Sequence, residues 1–234
     1  MKRTDFHTHI LPNIDDGAAD VAESVCMLKK LAADGVDTVY LTPHYRADKQ
    51  SYDNFISGRE IAYNRLVSAL ETEQDMPTLV LGAEVRAFDE LTDLSKDEWR
   101  GVSANNTILL ELPYIPAPNM VAEHFLPLFS QIQGYGFNIC LAHIERYIAY
   151  AEPDILREII SAAAYPAQLN CESLVANPID KSRLFAEECL KDGVYGFLGT
   201  DSHNTHTRMP RFADTEKYIR RHFSDADFLS LMPR

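Results

Sequence analysis

Long apolar runs are missing from this 234-residue chain: no stretch approaches the roughly 20 residues that a bilayer span requires, so membrane insertion is not expected. Cysteine is scarce. The four present, Cys26, Cys140, Cys171 and Cys189, show no CxxC spacing and stand in apolar or helical surroundings, so they read as reduced core residues of a cytoplasmic protein. Basic charge is short as well. Twenty-two Lys and Arg against 35 Asp and Glu give a formal charge of −13, and no Lys/Arg stripe stands out, so nucleic acid is not the expected partner unless bound cations reverse the sign locally. A secretory leader is not expected either, because charge and histidine follow Met1-Lys2-Arg3 where an apolar stretch would be needed. Internal repeats, low-complexity segments and Ser/Gly linkers are also absent, and the length suits one domain over residues 1–234.

What is present is an alternation of β-branched apolar segments with amphipathic ones. Strands are expected at about 4–9, 37–42, 78–84, 107–112, 137–142, 167–171 and 195–199. Helices are expected between them. The first opens at Asp20 with Glu23 three residues on, a capping-box-like start, and closes at Gly35. Val21, Val25, Leu28 and Leu31 give it a stripe to pack on a sheet. Further helices are expected at 52–71, 121–133, from Pro153 and at 181–191. Crossovers of this length favour parallel neighbours, so the expected fold is α/β, a seven-stranded parallel βα barrel, with an open doubly wound sheet as the alternative.

The barrel is favoured by where polar residues stop the apolar runs. His7 and His9 follow the first strand, His44 the second, Glu84 the third, Glu111 the fourth, His143 the fifth, and Asp201 and His203 the seventh. In a βα barrel these ends converge on one face. Each histidine taken singly is more often a satisfied imidazole than a ligand, and HxH alone is a weak signal. Repetition over six strand ends is what points to a polynuclear metal hydrolase. Asp5 shares a strand face with His7 and is read as orienting a ligand, outside the metal set. Asp15-Asp16-Gly17 reads equally well as a simple turn. Buried carboxylates at Glu84 and Glu111 need a cation or an arginine nearby. His124, His206 and His222 are assigned solvated or structural roles.

Cys140 and Arg146 match the Cys-x5-Arg spacing of cysteine-dependent phosphatases. Cys140 lies inside an apolar strand with no glycine between it and Arg146, so a phosphate-cradling nucleophile loop is rejected. Arg146 and Arg208, just past metal-type residues, are candidates for bidentate phosphate binding, with a surface ion pair as the plain alternative.

The motifs Asp5-x-His7-x-His9, His44, His143 and Asp201-x-His203 resemble the PHP (polymerase and histidinol phosphatase) superfamily. Asp5 to Gly17, Thr42-Pro43-His44, Gly82-Ala83-Glu84, Ala142 to Tyr147 and Thr200 to Asn204 make the chain similar to the bacterial manganese-dependent protein-tyrosine phosphatases of capsule and exopolysaccharide biosynthesis. The resemblance implies a distorted seven-stranded βα barrel with three divalent ions, Mn²⁺ first, Fe²⁺ or Zn²⁺ otherwise. By it, His7, His9 and Asp201 hold one ion, Glu84 bridges to a second held by His44 and His143, and Asp16, Glu111 and His203 hold a third. Arg146 and Arg208 match phosphate-contacting arginines. The implied partner is a phosphotyrosine protein, the tail of a tyrosine autokinase, and homo-oligomerisation is left open. The expected chemistry is attack of a metal-activated water on phosphorus without a protein nucleophile. Two departures stand out: Tyr45-Arg46-Ala47-Asp48 lacks the extra histidine usual after the second motif, and Leu231-Met232-Pro233-Arg234 lacks the usual Asn-Pro element, which bears on packing of the last helix and on oligomer contacts. Rival readings are a small-molecule phosphatase of the histidinol-phosphate type, an amidohydrolase, and a non-catalytic metal-binding module.

Overall fold

Parallel strands joined by helices do form, but the walls they build are broken. The structure, a computed structural model, describes residues 2–113, 121–175 and 177–232. Its strands are β1 (Thr4–Thr8), β2 (Thr38–Leu41), β3 (His44–Tyr45), β4 (Thr78–Leu81), β5 (Glu84–Arg86), β6 (Thr107–Glu111), β7 (Asn138–Leu141), β8 (Ala167–Asn170) and β9 (Tyr195–Gly199). All the ladders between them are parallel. They fall into sheets of three (β1-β2-β4), four (β3-β5-β6-β7) and two (β8-β9), not into one closed seven-stranded barrel as expected from sequence.

The break has a local cause. The expected single strand at 78–84 splits into β4 and β5, and His44 opens a strand of its own instead of trailing β2. Pro43 has no N–H to continue a ladder, and its carbonyl accepts from Glu84 N at 3.0 Å. Gly82, whose N donates to Leu41 O at 3.0 Å, sits so close to the Ala104 side chain that a Cβ would lie 3.1 Å from it. Both neighbouring strands therefore turn at one level, and the turn sets His44 directly opposite Glu84 in the next sheet. β1 meets the segment after β9 through two backbone bonds: His9 N donates to Ser202 O (2.9 Å) and Asp201 N to His7 O (2.7 Å).

The helices are α1 (Val21–Ala33), α2 (Tyr52–Leu70), α3 (Lys96–Val102), α4 (Leu126–Gly134), α5 (Pro153–Ala163), α6 (Cys171–Val175), α7 (Lys181–Lys191), α8 (Phe212–His222) and α9 (Asp225–Ser230). Asp20 caps α1 by accepting from Glu23 N at 2.9 Å, and Glu23 reaches back to Ala19 N at 3.0 Å. Leu28 and Leu31 are fully buried in the one core cluster that also holds Val39, Leu41, Ile108 and Leu110, each such side chain contributing roughly 1.5–3 kcal/mol. Val21 and Val25 lie only half-buried at the margin of that stripe, and Cys26, expected in the core, is exposed on α1. Cys140, Cys171 and Cys189 are buried and unpaired. At the far end α9 seats Phe228, with Leu231 and Met232 buried behind it, and Thr4 N donates to Met232 Sδ at 3.5 Å. The last helix thus packs under the start of β1; Pro233 and Arg234 lie outside the described residues. Among the described residues no helix is long and apolar enough to cross a membrane.

Candidate metal centre

The loop after β1 is shaped by a glycine. A Cβ on Gly17 would lie 2.0 Å from His9 O, so no other residue fits where Ala18 N closes onto that carbonyl at 3.0 Å. The closure turns Asp15 inward. Its carboxylate accepts from Gly17 N (2.9 Å) and His44 N (3.0 Å) and meets His9 Nδ1 at 2.7 Å. On the next strand ends, Gln168 Oε1 accepts from His143 N (3.1 Å) and meets His7 Nδ1 at 3.0 Å, while its Nε2 donates to Leu169 O at 2.7 Å. These partners fix the tautomers. With Nδ1–H committed in both rings, neutral His7 and His9 each present a lone pair on Nε2, and those two atoms lie 3.1 Å apart.

Two lone pairs cannot share that space without a cation or a proton between them. Glu84 Oε2 stands 3.2 Å from both nitrogens and Asp201 Oδ1 stands 3.6 and 3.3 Å from them, all fully or nearly fully buried. Glu84 is the centre of the group: Oε2 is also 2.9 Å from His44 Nδ1, and Oε1 is 2.8 Å from His143 Nε2. His203 Nδ1 points to Asp201 O at 2.9 Å, which leaves its Nε2 facing Asp16 Oδ1 at 3.4 Å. His44 Nδ1, Glu84 Oε2, Glu111 Oε2, His143 Nδ1 and His203 Nε2 are buried without a hydrogen bond. Such close, misaligned nitrogen and carboxylate donors fit divalent first-row cations.

The acid–base balance follows the same geometry. Burial works against charge on His7 and His9, yet Glu84 and Asp201 raise the first and Asp15 raises the second well above the usual imidazole range. His44 is raised to about 10: burial opposes the shift, and Glu84 and Asp16 outweigh it. His143 falls to about 4 because burial dominates its single carboxylate contact. Glu111 is pushed up to about 7 by burial and by the Glu84 charge. Despite their burial, Glu84 is held well below the carboxylate range by His7 and His44, and Asp201 by Arg146 and His7.

All nine metal-type residues read from the sequence lie around this one centre, in overlapping groups. His7, His9 and Asp201 come together; so do His7, Glu84 and His143; His44, Glu84 and Glu111; and His9, Asp16, His44 and His203. The expected trio of Asp16, Glu111 and His203 does not form a group, since Glu111 sits on the Glu84 side and Asp16 on the His203 side. His44 correspondingly joins Asp16 and His203 as well as Glu84. The two arginines meet on the outer oxygen of Asp201: Arg208 Nη2 at 2.9 Å, Arg146 Nη1 closer still, with Asn170 Nδ2 at 3.3 Å. Two site residues adopt left-handed backbone, His143 (φ 33°) and Asp201 (φ 49°), conformations that side chains other than glycine seldom take except where packing imposes them.

Asp15 and Gln168 are the orienting residues that the sequence left unassigned, and Asn170 joins them. Asn170 could have been found by the strand-end rule, and Gln168 by the two-residue period from it; Asp15 carried only a turn signal. Asp5 does not touch the His7 ring. It accepts from His7 N (3.2 Å), Thr200 N (2.9 Å) and Thr200 Oγ1 (2.6 Å), tying β1 to β9. Cys140, buried beside Leu109 and Ala142 with its thiol pushed far up by burial, is no nucleophile. The pocket over the centre measures about 420 Å³ and includes Asp16, His44, Arg46, Lys49, Arg146 and Arg208 in its walls. A separate cavity of about 230 Å³ behind Phe6, Tyr40, Tyr165 and Phe197 has no carboxylate, imidazole or guanidinium in its lining.

Comparison with known proteins places these features in a family. The family described as capsular polysaccharide synthesis, CpsB/CapC, matches residues 3–232. The tyrosine-protein phosphatase YwqE of Bacillus subtilis is 30% identical over 87% of this chain and 78% of its own length. The tyrosine-protein phosphatase CpsB of Streptococcus agalactiae serotype V is 25% identical over 94% of this chain and 90% of its own. A chain from the crystal structures of YwqE from Bacillus subtilis and CpsB from Streptococcus pneumoniae, described as unique metal-dependent tyrosine phosphatases, superposes with a TM-score of 0.80 at 24% identity, covering 97% of this chain and 90% of the other.

Proposed function

The chain belongs to the CpsB/CapC family of capsular polysaccharide synthesis, and on that premise we propose that it is a metal-dependent protein-tyrosine phosphatase. One observation carries the proposal: the His7 and His9 lone pairs converge 3.1 Å apart beside Glu84 and Asp201, with two arginines on the outer oxygen of Asp201. His7, His9 and Asp201 would hold one ion, Asp16, His44 and His203 another, and Glu84, which touches both groups, would carry a third with His143 on the His7 side or with Glu111 on the His44 side. Three ions, with manganese as the proposed metal, would supply Lewis acidity and an activated water. The three sheets would act together as the wall of a distorted barrel.

Arg146 and Arg208 then do two jobs. They neutralise the half of Asp201 turned away from the histidines, and their remaining N–H groups face the pocket, where phosphoryl oxygens would be received bidentately. A phenolate leaves with an ordinary pKa of about 10, so no dedicated acid is required beside it. The proposed substrate is a phosphotyrosine protein, the tail of a tyrosine autokinase, met in the cytoplasm; a homo-oligomer is compatible with this reading. Protein reconstituted with Mn²⁺ is expected to release phosphate from a phosphotyrosine peptide faster than from a phosphoserine peptide or histidinol phosphate, and a chelator or Glu84→Gln is expected to abolish release. Preference for histidinol phosphate would move the assignment to small-molecule metabolism. Full turnover by Glu84→Gln would overturn the site.

A further inference from the structure

Some cations in the pocket walls pair away from the metal-type carboxylates. Beyond Arg146 and Arg208, its walls hold Arg86, whose Nη1 lies 3.7 Å from Glu111 Oε2, and Arg46 and Lys49, on the turn between β3 and α2. That turn is closed by Lys49 N and Gln50 N, which both donate to Arg46 O at 2.9 and 3.1 Å, and it is anchored by Tyr45, buried at the end of β3. Arg46 is held in place: Nη2 lies 3.2 Å from Asp48 Oδ2, and the guanidinium sits 5.6 Å from the centre of the Phe88 ring. Lys49 Nζ lies 3.6 Å from the same Asp48 oxygen. Two cations share one carboxylate, so the turn keeps a positive excess on a chain whose formal charge is −13. The sheet order β3-β5-β6-β7 puts this turn beyond one edge of the four-stranded sheet and Arg146 beyond the other, so the two sets of cations face the pocket from opposite sides.

We propose that Arg46 and Lys49 form a specificity subsite for a second anionic group on the substrate, close in sequence to the phosphotyrosine. This rests on the phosphatase reading and adds to it a preference in substrate choice. The second anion could be a carboxylate side chain or another phosphoryl group; the chemistry of recognition is the same. An exposed pair of this kind is screened by solvent, so the expected effect is a preference of about fivefold, mostly in KM and weaker at high salt.

The test compares kcat/KM of the Mn²⁺-loaded wild type and of R46Q/K49Q on three phosphotyrosine peptides: neutral flanks, glutamate flanks, and a second phosphotyrosine. p-Nitrophenyl phosphate, which has no second anion, serves as reference, and a thermal melt checks folding. The wild type should favour one or both anionic peptides, and the double variant should lose that preference while its p-nitrophenyl phosphate turnover changes less than about twofold. Preference for only one of them names the source of the anion. No wild-type preference, or a preference that R46Q/K49Q retains, overturns the subsite and leaves the phosphatase standing. Failure of the wild type on every phosphotyrosine substrate overturns both.

Discussion

At the scale of single residues, the site depends on groups that never touch the reacting atoms. Gln168 holds two donors with one oxygen, the His143 backbone N–H and the His7 ring, and is itself fixed by its amide nitrogen on Leu169 O. It decides which nitrogen of His7 is free. Removing it should cost metal affinity before it costs chemistry, by about 10–100-fold as for other residues that orient ligands. It should also leave two buried donors unsatisfied, at roughly 1–3 kcal/mol. We therefore expect Gln168→Ala to need much more Mn²⁺ for half-maximal activity while approaching wild-type kcat at saturation. A Mn²⁺ titration of phosphate release, with metal content measured in parallel, checks this; an unchanged titration would remove Gln168 from the ligand-orienting set.

At the scale of elements, the close approach of β1 and β9 places the histidines. Gly199 ends β9 so near β1 that a Cβ would sit 2.6 Å from His7 Cβ and 2.7 Å from Gln168 Nε2. Overpacking of this kind costs about 1–3 kcal/mol. Gly199→Ala should lower the melting temperature by several degrees and weaken Mn²⁺ binding as well, whereas Gly134→Ala, in open space on α4, should do neither. Thermal melts with and without metal separate the two effects. These elements also mark how far the sequence could be read. Strand ends such as His143 and Asp201 were legible because apolar runs stop there, and α1 because capping and helical period coincide. The split at Pro43 and Gly82 was not legible, since Leu79 to Leu81 continues smoothly into Ala83 in hydropathy, and only the missing N–H of Pro43 hints that the ladder turns. The grouping of Asp16 with His44 and His203 was hidden for another reason: it depends on how the Gly17 loop folds over the strand ends, which no local periodicity records.

At the scale of the whole molecule, ions and protons compete for the same lone pairs. In the metal-free protein His44 is raised to about 10, His9 well above the usual imidazole range and His7 above its ordinary value, so these rings favour protons that an incoming ion must displace. Glu111, at about 7, carries a further proton part of the time. A histidine whose folded pKa is raised contributes stability that is complete below its unfolded value near 6.5 and declines as pH climbs toward the folded value. Between pH 6 and 8 the metal-free protein should therefore lose stability. The loaded protein should move the other way, because Mn²⁺ affinity gains up to about tenfold per pH unit for each proton displaced, and bound ligand stabilises by about 2.7 kcal/mol at a hundredfold excess over Kd. Melting curves at pH 6, 7 and 8 should accordingly diverge, the chelated sample falling and the Mn²⁺ sample rising. Calorimetric titration in two buffers of different ionisation enthalpy should register proton release on binding. Parallel slopes and no released protons would mean that the buried histidines are neutral without metal, and that the cage closes on itself by geometry alone.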